Sequence, residues 1–361
     1  MSSAAAVAAP RVAINPWVVA AAVVVPTFME VLDTTIANVA LRYIAGGLSA
    51  AVIDSEWVIT SYLAANAIVL PISGWLAAHL GRRNYFLLSI AVFTLASGAC
   101  GMATSLGELI LFRVIQGLAG GGLQPCTQGV LLDSFPPEKQ GSAMTLFAVA
   151  ALLAPILGPT LGGWITDHYS WRWIFYMNLP IGAIAFIASY WLLEDPPYLV
   201  AQRAQLKQRP LQFDTIGLGL LTVVMVSWEV VLSKGQQWDW FGDPFGRVQV
   251  LAALFGFGLV ALIIHESRSA HPVVDLRPLL ERNFAVASIT IFSAYAVLYA
   301  TSVSLPGLLQ SLFGYDATSS GLVLSPAGIF SVMMLPMIGF VLGRGVDARR
   351  PIVAGLLVMG I

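Results

Sequence analysis

Charged residues are scarce in this sequence: Asp, Glu, Lys and Arg make up 10% of its 361 residues, where a soluble domain carries about 25%. With 58% hydrophobic residues and a mean hydropathy of +0.81, that shortage excludes a soluble globular protein and leaves a membrane protein with little soluble mass. A basic excess is lacking too. The formal net charge is −1, so no basic nucleic-acid-binding domain is present and no nucleic-acid partner is expected. The two cysteines, Cys100 and Cys126, both fall inside apolar runs, which excludes a disulfide framework and a zinc site built on paired cysteines. The four histidines, His79, His168, His265 and His271, map to the ends of apolar runs or to loops. No nucleophile, histidine and acid occur together, so neither an enzyme nor a cofactor or metal site is expected. The first ten residues are Ala-rich and lack a charged leader before a cleavage site, so the run from Pro16 reads as a retained helix rather than a signal peptide.

What is present is a succession of apolar runs long enough to cross a bilayer core of roughly 30 Å. They cover 16–41, 57–78, 85–105, 106–135, 143–165, 173–193, 216–232, 248–264, 284–312 and 317–342. An eleventh begins at Pro351 and reaches only Ile361, about half of a span, so the sequence reads as a truncated chain. Basic residues set the orientation, because Lys and Arg concentrate in cytoplasmic loops. With the N-terminus inside, Arg82, Arg83, Lys139, Arg203, Lys207 and eight others lie in the cytoplasm, against Arg42, Arg172, Lys234 and Arg247 outside. The expectation is a multi-pass protein with a cytoplasmic N-terminus.

The first run contains two carboxylates, Glu30 and Asp33, three residues apart and so on one helical face. Charge at the bilayer centre costs at least roughly 3 kcal/mol, so such groups face a bundle interior or a watery cavity and mark ion or substrate pathways. The fourth run opens with Arg113 in the membrane. At 1.5 Å per residue, Asp33 lies about 12 Å and Arg113 about 7 Å from the outer ends of their helices, a difference a guanidinium spans. Two readings stand for the pair: a proton-linked ion pair or water network, and a purely structural salt bridge. Gly117, Gly120, Gly121 and Gly122 fit close helix packing better than ligand binding. Asn38, Gln116, Gln124 and Gln128 are the candidate polar groups of a cavity.

Between the second and third runs lies the stretch Gly74 to Asn84, in which Gly74 is expected to end a helix, Gly81 to permit a tight turn, and Arg82 and Arg83 to hold the loop in the cytoplasm. It resembles the signature loop of the major facilitator superfamily. Ala78 and His79 stand where that family usually has an acidic and a basic residue, which puts the usual ion-pair latch in doubt. A weaker copy, Gly339 to Arg350 with Asp347, Arg349 and Arg350, suggests the parallel repeat of six-helix halves. In the fifth run Pro155 and Pro159 share a face and are expected to kink the helix, while Gly158 and Gly162, followed by Gly163, form a strip that admits another helix. In this setting the string resembles the motif of the superfamily's drug/proton antiporters.

Further landmarks, 32–41, 171–182, 272–276 and Arg282-Asn283-Phe284, resemble the fourteen-helix EmrB/QacA-type branch, with the Trp238-Asp239-Trp240-Phe241 loop similar to the EmrB side of it. The resemblance covers nearly the whole chain. It implies an all-α polytopic major facilitator fold: a cytoplasmic tail at 1–15, a six-helix bundle at 16–193, a linker region with two extra helices at 194–283 and a partial second bundle at 284–361. It implies proton-coupled export of amphipathic or cationic organic compounds, drug:H+ antiport in a bacterial inner membrane. The implied partners are small-molecule drugs or toxins, protons and membrane lipid, with a periplasmic adaptor and an outer-membrane channel. The rival reading is a non-transporting truncated fragment or membrane scaffold, since the second bundle would lack partners for its inner faces; the chain ending at Ile361 is expected not to transport as it stands. Glu229 and the residues Trp57, Trp164, Trp171 and Trp173 read as interfacial, and Asp133 as a cap or loop latch.

Overall fold

The computed structural model describes residues 15–207, 214–270 and 272–359; His271, Arg209, most of the N-terminal tail and the last two residues of the eleventh run lie outside them. Every regular element among the described residues is a helix. We label them α1 (Pro16–Gly47), α2 (Trp57–Leu80), α3 (Arg82–Met102), α4 (Leu106–Gly120), α5 (Leu123–Ser134), α6 (Pro137–His168), α7 (Asn178–Leu192), α8 (Pro197–Lys207), α9 (Thr215–Lys234), α10 (Arg247–Arg268), α11 (Arg282–Leu312), α12 (Ala317–Gly343) and α13 (Arg349–Met359).

Helix α1 starts where Asn15 accepts a hydrogen bond from the Trp17 backbone N–H at 3.0 Å, with Pro16 in the first turn. It is apolar over most of its surface and is largely buried, packing against α5, α6 and α7. Two expected spans are broken. The run 106–135 divides into α4 and α5 at Gly121-Gly122, and the run 173–193 divides at Met177 into the turn Trp173–Tyr176 and α7. Near the start of α4, Ser105 accepts from the Glu108 N–H at 3.3 Å while the Glu108 carboxylate accepts from Thr104 at 2.9 Å, a reciprocal cap.

Gly74 does not end a helix; it lies inside α2, and the break falls at Gly81 with φ of +89°, a conformation only glycine adopts without strain. Other contacts hold this loop. Arg82 pairs with Asp133 of α5, to which Tyr198 of α8 donates at 2.8 Å. The Arg83 guanidinium bonds the Tyr190 carbonyl at 2.7 Å, and Arg203 of α8 bonds the Leu80 carbonyl at 3.1 Å and faces Asp195 at 3.7 Å. The linker is thus partly helical, and its side chains supply contacts that Ala78 and His79 cannot make. Trp171 is packed inside the protein. It is 6% exposed, edge-on to Phe175 and seated against Gly47, where a Cβ would lie 2.3 Å from its Nε1.

Helices α9 and α10 form a hairpin whose turn is fixed by Asp243, which accepts from the backbone and guanidinium of Arg247. Those bonds hold the Asp243 carboxyl down at about 2. The hairpin is tied to the first bundle by Lys234, whose ammonium reaches Glu56 at 3.0 Å and the Ile53 carbonyl at 2.7 Å. At the other end Asp214 caps α9 and meets His265 at 2.8 Å.

Helix α6 runs unbroken through Pro155 and Pro159 and has a helix on either side. Towards α1, a Cβ on Gly158 would lie 2.1 Å from Thr35 Oγ1 and one on Gly162 would lie 3.1 Å from Ile36. Towards α12, a Cβ on Gly321 would lie 2.5 Å from the Pro159 backbone and one on Gly328 would lie 2.2 Å from Ile156, while Thr160 and Ser325 share a hydrogen bond of 2.9 Å. The inner face of α12 therefore does have a partner, contrary to the sequence expectation. Asp167 closes the seam: it accepts from the backbone and hydroxyl of Thr318 at 3.0 and 2.7 Å and from the Tyr43 hydroxyl of α1. Asp167→Ala is expected to loosen this end. With cysteines at Thr160 and Ser325, disulfide formation should be rapid and should slow several-fold once Asp167 is replaced, because three donors lose one acceptor; an unchanged rate would show that glycine packing alone sets the seam.

Candidate functional site

The site is built where α1 meets α2, α3, α4 and α7. Asp33, 3% exposed, is paired with Arg113, 0% exposed, and its other oxygen accepts from Asn178 Nδ2 at 2.7 Å. Asn178 also donates to Ser97 at 3.0 Å, and Ser97 donates to the Phe175 carbonyl at 2.9 Å. The guanidinium is held through Nε, Nη1 and one ring face. Its Nε donates to the Val58 carbonyl at 3.0 Å, Nη1 donates to Gln116 Oε1 at 2.8 Å, and its carbon lies 4.1 Å from the centroid of the Tyr62 ring. Arg113 Nη2 and Gln116 Nε2 are buried with no protein acceptor. A charge this deep is tolerated because it is paired and hydrogen-bonded.

Glu30, 4% exposed, belongs to an adjoining cluster rather than to this pair. Its carboxylate accepts from Gln124 at 2.9 Å, Asn66 at 3.0 Å and the Tyr62 hydroxyl at 3.3 Å. The expected polar residues divide. Gln124 joins Glu30; Gln116 is fully buried against Arg113, so it does not line an open cavity as expected; Gln128 is exposed one turn beyond Gln124. Asn38 bonds its own helix at the Thr34 carbonyl, 3.2 Å away, and meets neither carboxylate. The glycines of α4 do pack helices: a Cβ on Gly117 would lie 2.4 Å from the Tyr62 carbonyl.

Sequence reasoning did not single out Tyr62, Asn66, Ser97 or Asn178. Tyr62 and Asn66 stand one turn apart in an apolar run, the same signal that exposed Glu30 and Asp33. Cys100 and Cys126 are free and buried, and among the described residues no cluster of His, Cys, Asp and Glu is arranged to hold a metal. The arrangement thus sets one carboxylate, Asp33, in a buried ion pair and a second, Glu30, in an adjoining hydrogen-bonded cluster.

The family description Major Facilitator Superfamily matches residues 23–361. The chain belongs to the major facilitator superfamily. Solved members share the fold at low identity: the proton:xylose symporter XylE superposes with a TM-score of 0.60 at 12% identity, over 90% of this chain and 68% of that one. The peptide transporter POT gives 0.58 at 16%, over 90% and 68%. Among curated superfamily relatives, the multidrug export protein EmrB of Escherichia coli (strain K12) is 40% identical over 90% of this chain and 61% of its own length. The fatty acid resistance protein FarB of Neisseria gonorrhoeae is 38% identical over 91% and 63%. The chain thus spans less than two thirds of these relatives.

Proposed function

We propose that this superfamily chain serves proton-coupled export of amphipathic or cationic organic compounds, by drug:H+ antiport. One observation carries the reading: a fully buried Asp33–Arg113 pair at the meeting point of five helices. A membrane scaffold gives no reason to bury a titratable pair there, whereas a transporter needs a group whose protonation biases two arrangements. The names of the relatives, multidrug export and fatty acid resistance, agree with small organic substrates. In this reading Asp33 takes the proton, Glu30 assists, and Arg113 is the counter-ion released when Asp33 is neutral. In the strip Pro155, Gly158, Pro159, Gly162 and Gly163, the glycines Gly158 and Gly162 hold α6 against α1 within the residue 16–193 bundle, while Pro159 backs onto α12, so α6 carries the seam on which that bundle moves against 284–361, with Gly74, Gly81, Arg82 and Arg83 forming the cytoplasmic latch.

The bias of Lys and Arg supports a cytoplasmic N-terminus in a bacterial inner membrane, which makes the Asp167 end of α6 the outer one. A periplasmic adaptor and an outer-membrane channel are the partners that resemblance to the EmrB side of the family suggests. The test is proton movement in inverted vesicles carrying the natural full-length protein. Organic cations such as tetraphenylphosphonium should draw protons through the protein under an imposed gradient; no movement with any of a chemically varied set would contradict antiport.

A further inference from the structure

We propose that Tyr62 is a positioning residue that joins the two acidic groups into one coupled unit, so that positive charge arriving at Glu30 drives a proton off Asp33. The proposal rests on the antiport reading above and deepens it. Tyr62 touches both halves of the site: its ring face carries the Arg113 guanidinium at 4.1 Å, and its hydroxyl donates to Glu30 Oε1 at 3.3 Å. The residue is fully buried and cannot turn away. A Cβ on Gly117 would lie 2.4 Å from its carbonyl, and one on Gly120 would lie 2.9 Å from its hydroxyl and 3.3 Å from Glu30 Cγ. The α2–α4 seam is therefore closed at the Tyr62 backbone and again at its hydroxyl.

The coupling follows from the electronics of a phenol. Donating to a carboxylate polarises the O–H bond and makes the ring richer in electrons, which strengthens its hold on a cation at its face. When a proton or an organic cation neutralises Glu30, that enrichment is lost and the ring holds Arg113 less well. Arg113 then leans more on Asp33, which favours the ionised carboxylate, and Asp33 gives up its proton. Linkage makes the effect reciprocal: a proton on Asp33 leaves Arg113 dependent on the Tyr62 ring, which favours an ionised Glu30 ready for a cation. The two sites thus repel double occupancy, as exchange requires. The other titratable groups that face this trio are Cys100 on α3 and Tyr299 on α11; neither lies between the carboxylates in the contact path through the Tyr62 ring.

The test counts protons released per tetraphenylphosphonium bound, using the purified natural full-length protein in lipid nanodiscs, weak buffer and a pH dye. Wild type, with Glu30 ionised and the exchangeable proton on Asp33, should release about one proton per cation bound, and Asp33→Asn should release close to none. A wild type that releases no more than Asp33→Asn would overturn the antiport reading itself. Tyr62→Phe keeps the ring under Arg113 and removes only the hydroxyl, so it should still bind the cation yet release no more than Asp33→Asn does. Release at the wild-type level would overturn the proposal while leaving antiport standing. If Tyr62→Phe does not assemble, Gly120→Ala decides: its methyl pushes the hydroxyl away from Glu30, and the same fall is expected, with wild-type release again overturning the proposal.

Discussion

Arg113→Ala is expected to be the most damaging single substitution in this chain. It leaves Asp33 buried with Asn178 as its remaining polar partner, and breaking a buried pair from one side costs about 3–5 kcal/mol. Most of the protein should fail to reach a monodisperse, protease-resistant form in detergent. The double variant Asp33→Asn with Arg113→Ala removes both charges and should recover much of that loss, since the damage lies in the stranded carboxylate rather than in a missing contact. It should not recover transport. If Arg113→Ala alone were as stable as wild type, Asp33 would have to find another partner or take a proton at no cost, and the pair would not be an energetic unit.

Gly158→Leu is expected to have the second largest effect. The backbone of α6 approaches α1 so closely that even a methyl would lie 2.1 Å from Thr35 Oγ1, and Thr35 is itself tied across the seam to the Ala154 carbonyl at 3.3 Å. Overpacking of this kind typically costs about 1–3 kcal/mol and here would force α1, which carries Glu30 and Asp33, away from α6. Transport by the natural full-length protein should fall at least about tenfold with the fold retained. Alanine separates the two glycines: Gly158→Ala should already impair, whereas Gly162→Ala, whose methyl would lie 3.1 Å from Ile36, should be mild. Full activity of both leucine variants, measured as substrate efflux, would show that the seam is not tight in the working protein.

The sequence revealed the helices because each carries a long apolar run, and it revealed Asp33, Glu30 and Arg113 because charge in such a run is costly wherever it is not paired. It did not reveal which polar neighbours complete the site. Ser97 and Asn178 become partners only through the packing of α3 and α7 against α1, a tertiary fact without local periodicity. The break between α4 and α5 was hidden for a related reason, since Gly120, Gly121 and Gly122 read as packing residues, and Gly120 and Gly121 are that as well. The loop's contacts were only partly legible: Asp133, read as a cap or loop latch, does pair with Arg82, but the remaining contacts come from α8, more than a hundred residues from Gly81 in the chain. Tyr198 and Arg203 look like linker residues until the fold brings them to Asp133 and Leu80.

The most direct test of the central claim is Asp33→Asn in the natural full-length protein, reconstituted in vesicles and followed by a pH dye during substrate addition. The substitution keeps the shape and one hydrogen-bonding oxygen while removing the titratable group, so the protein should fold and insert. The account predicts that substrate-driven proton movement disappears. Proton movement at the wild-type rate would show that the buried Asp33–Arg113 pair is structural and that the coupling site lies elsewhere.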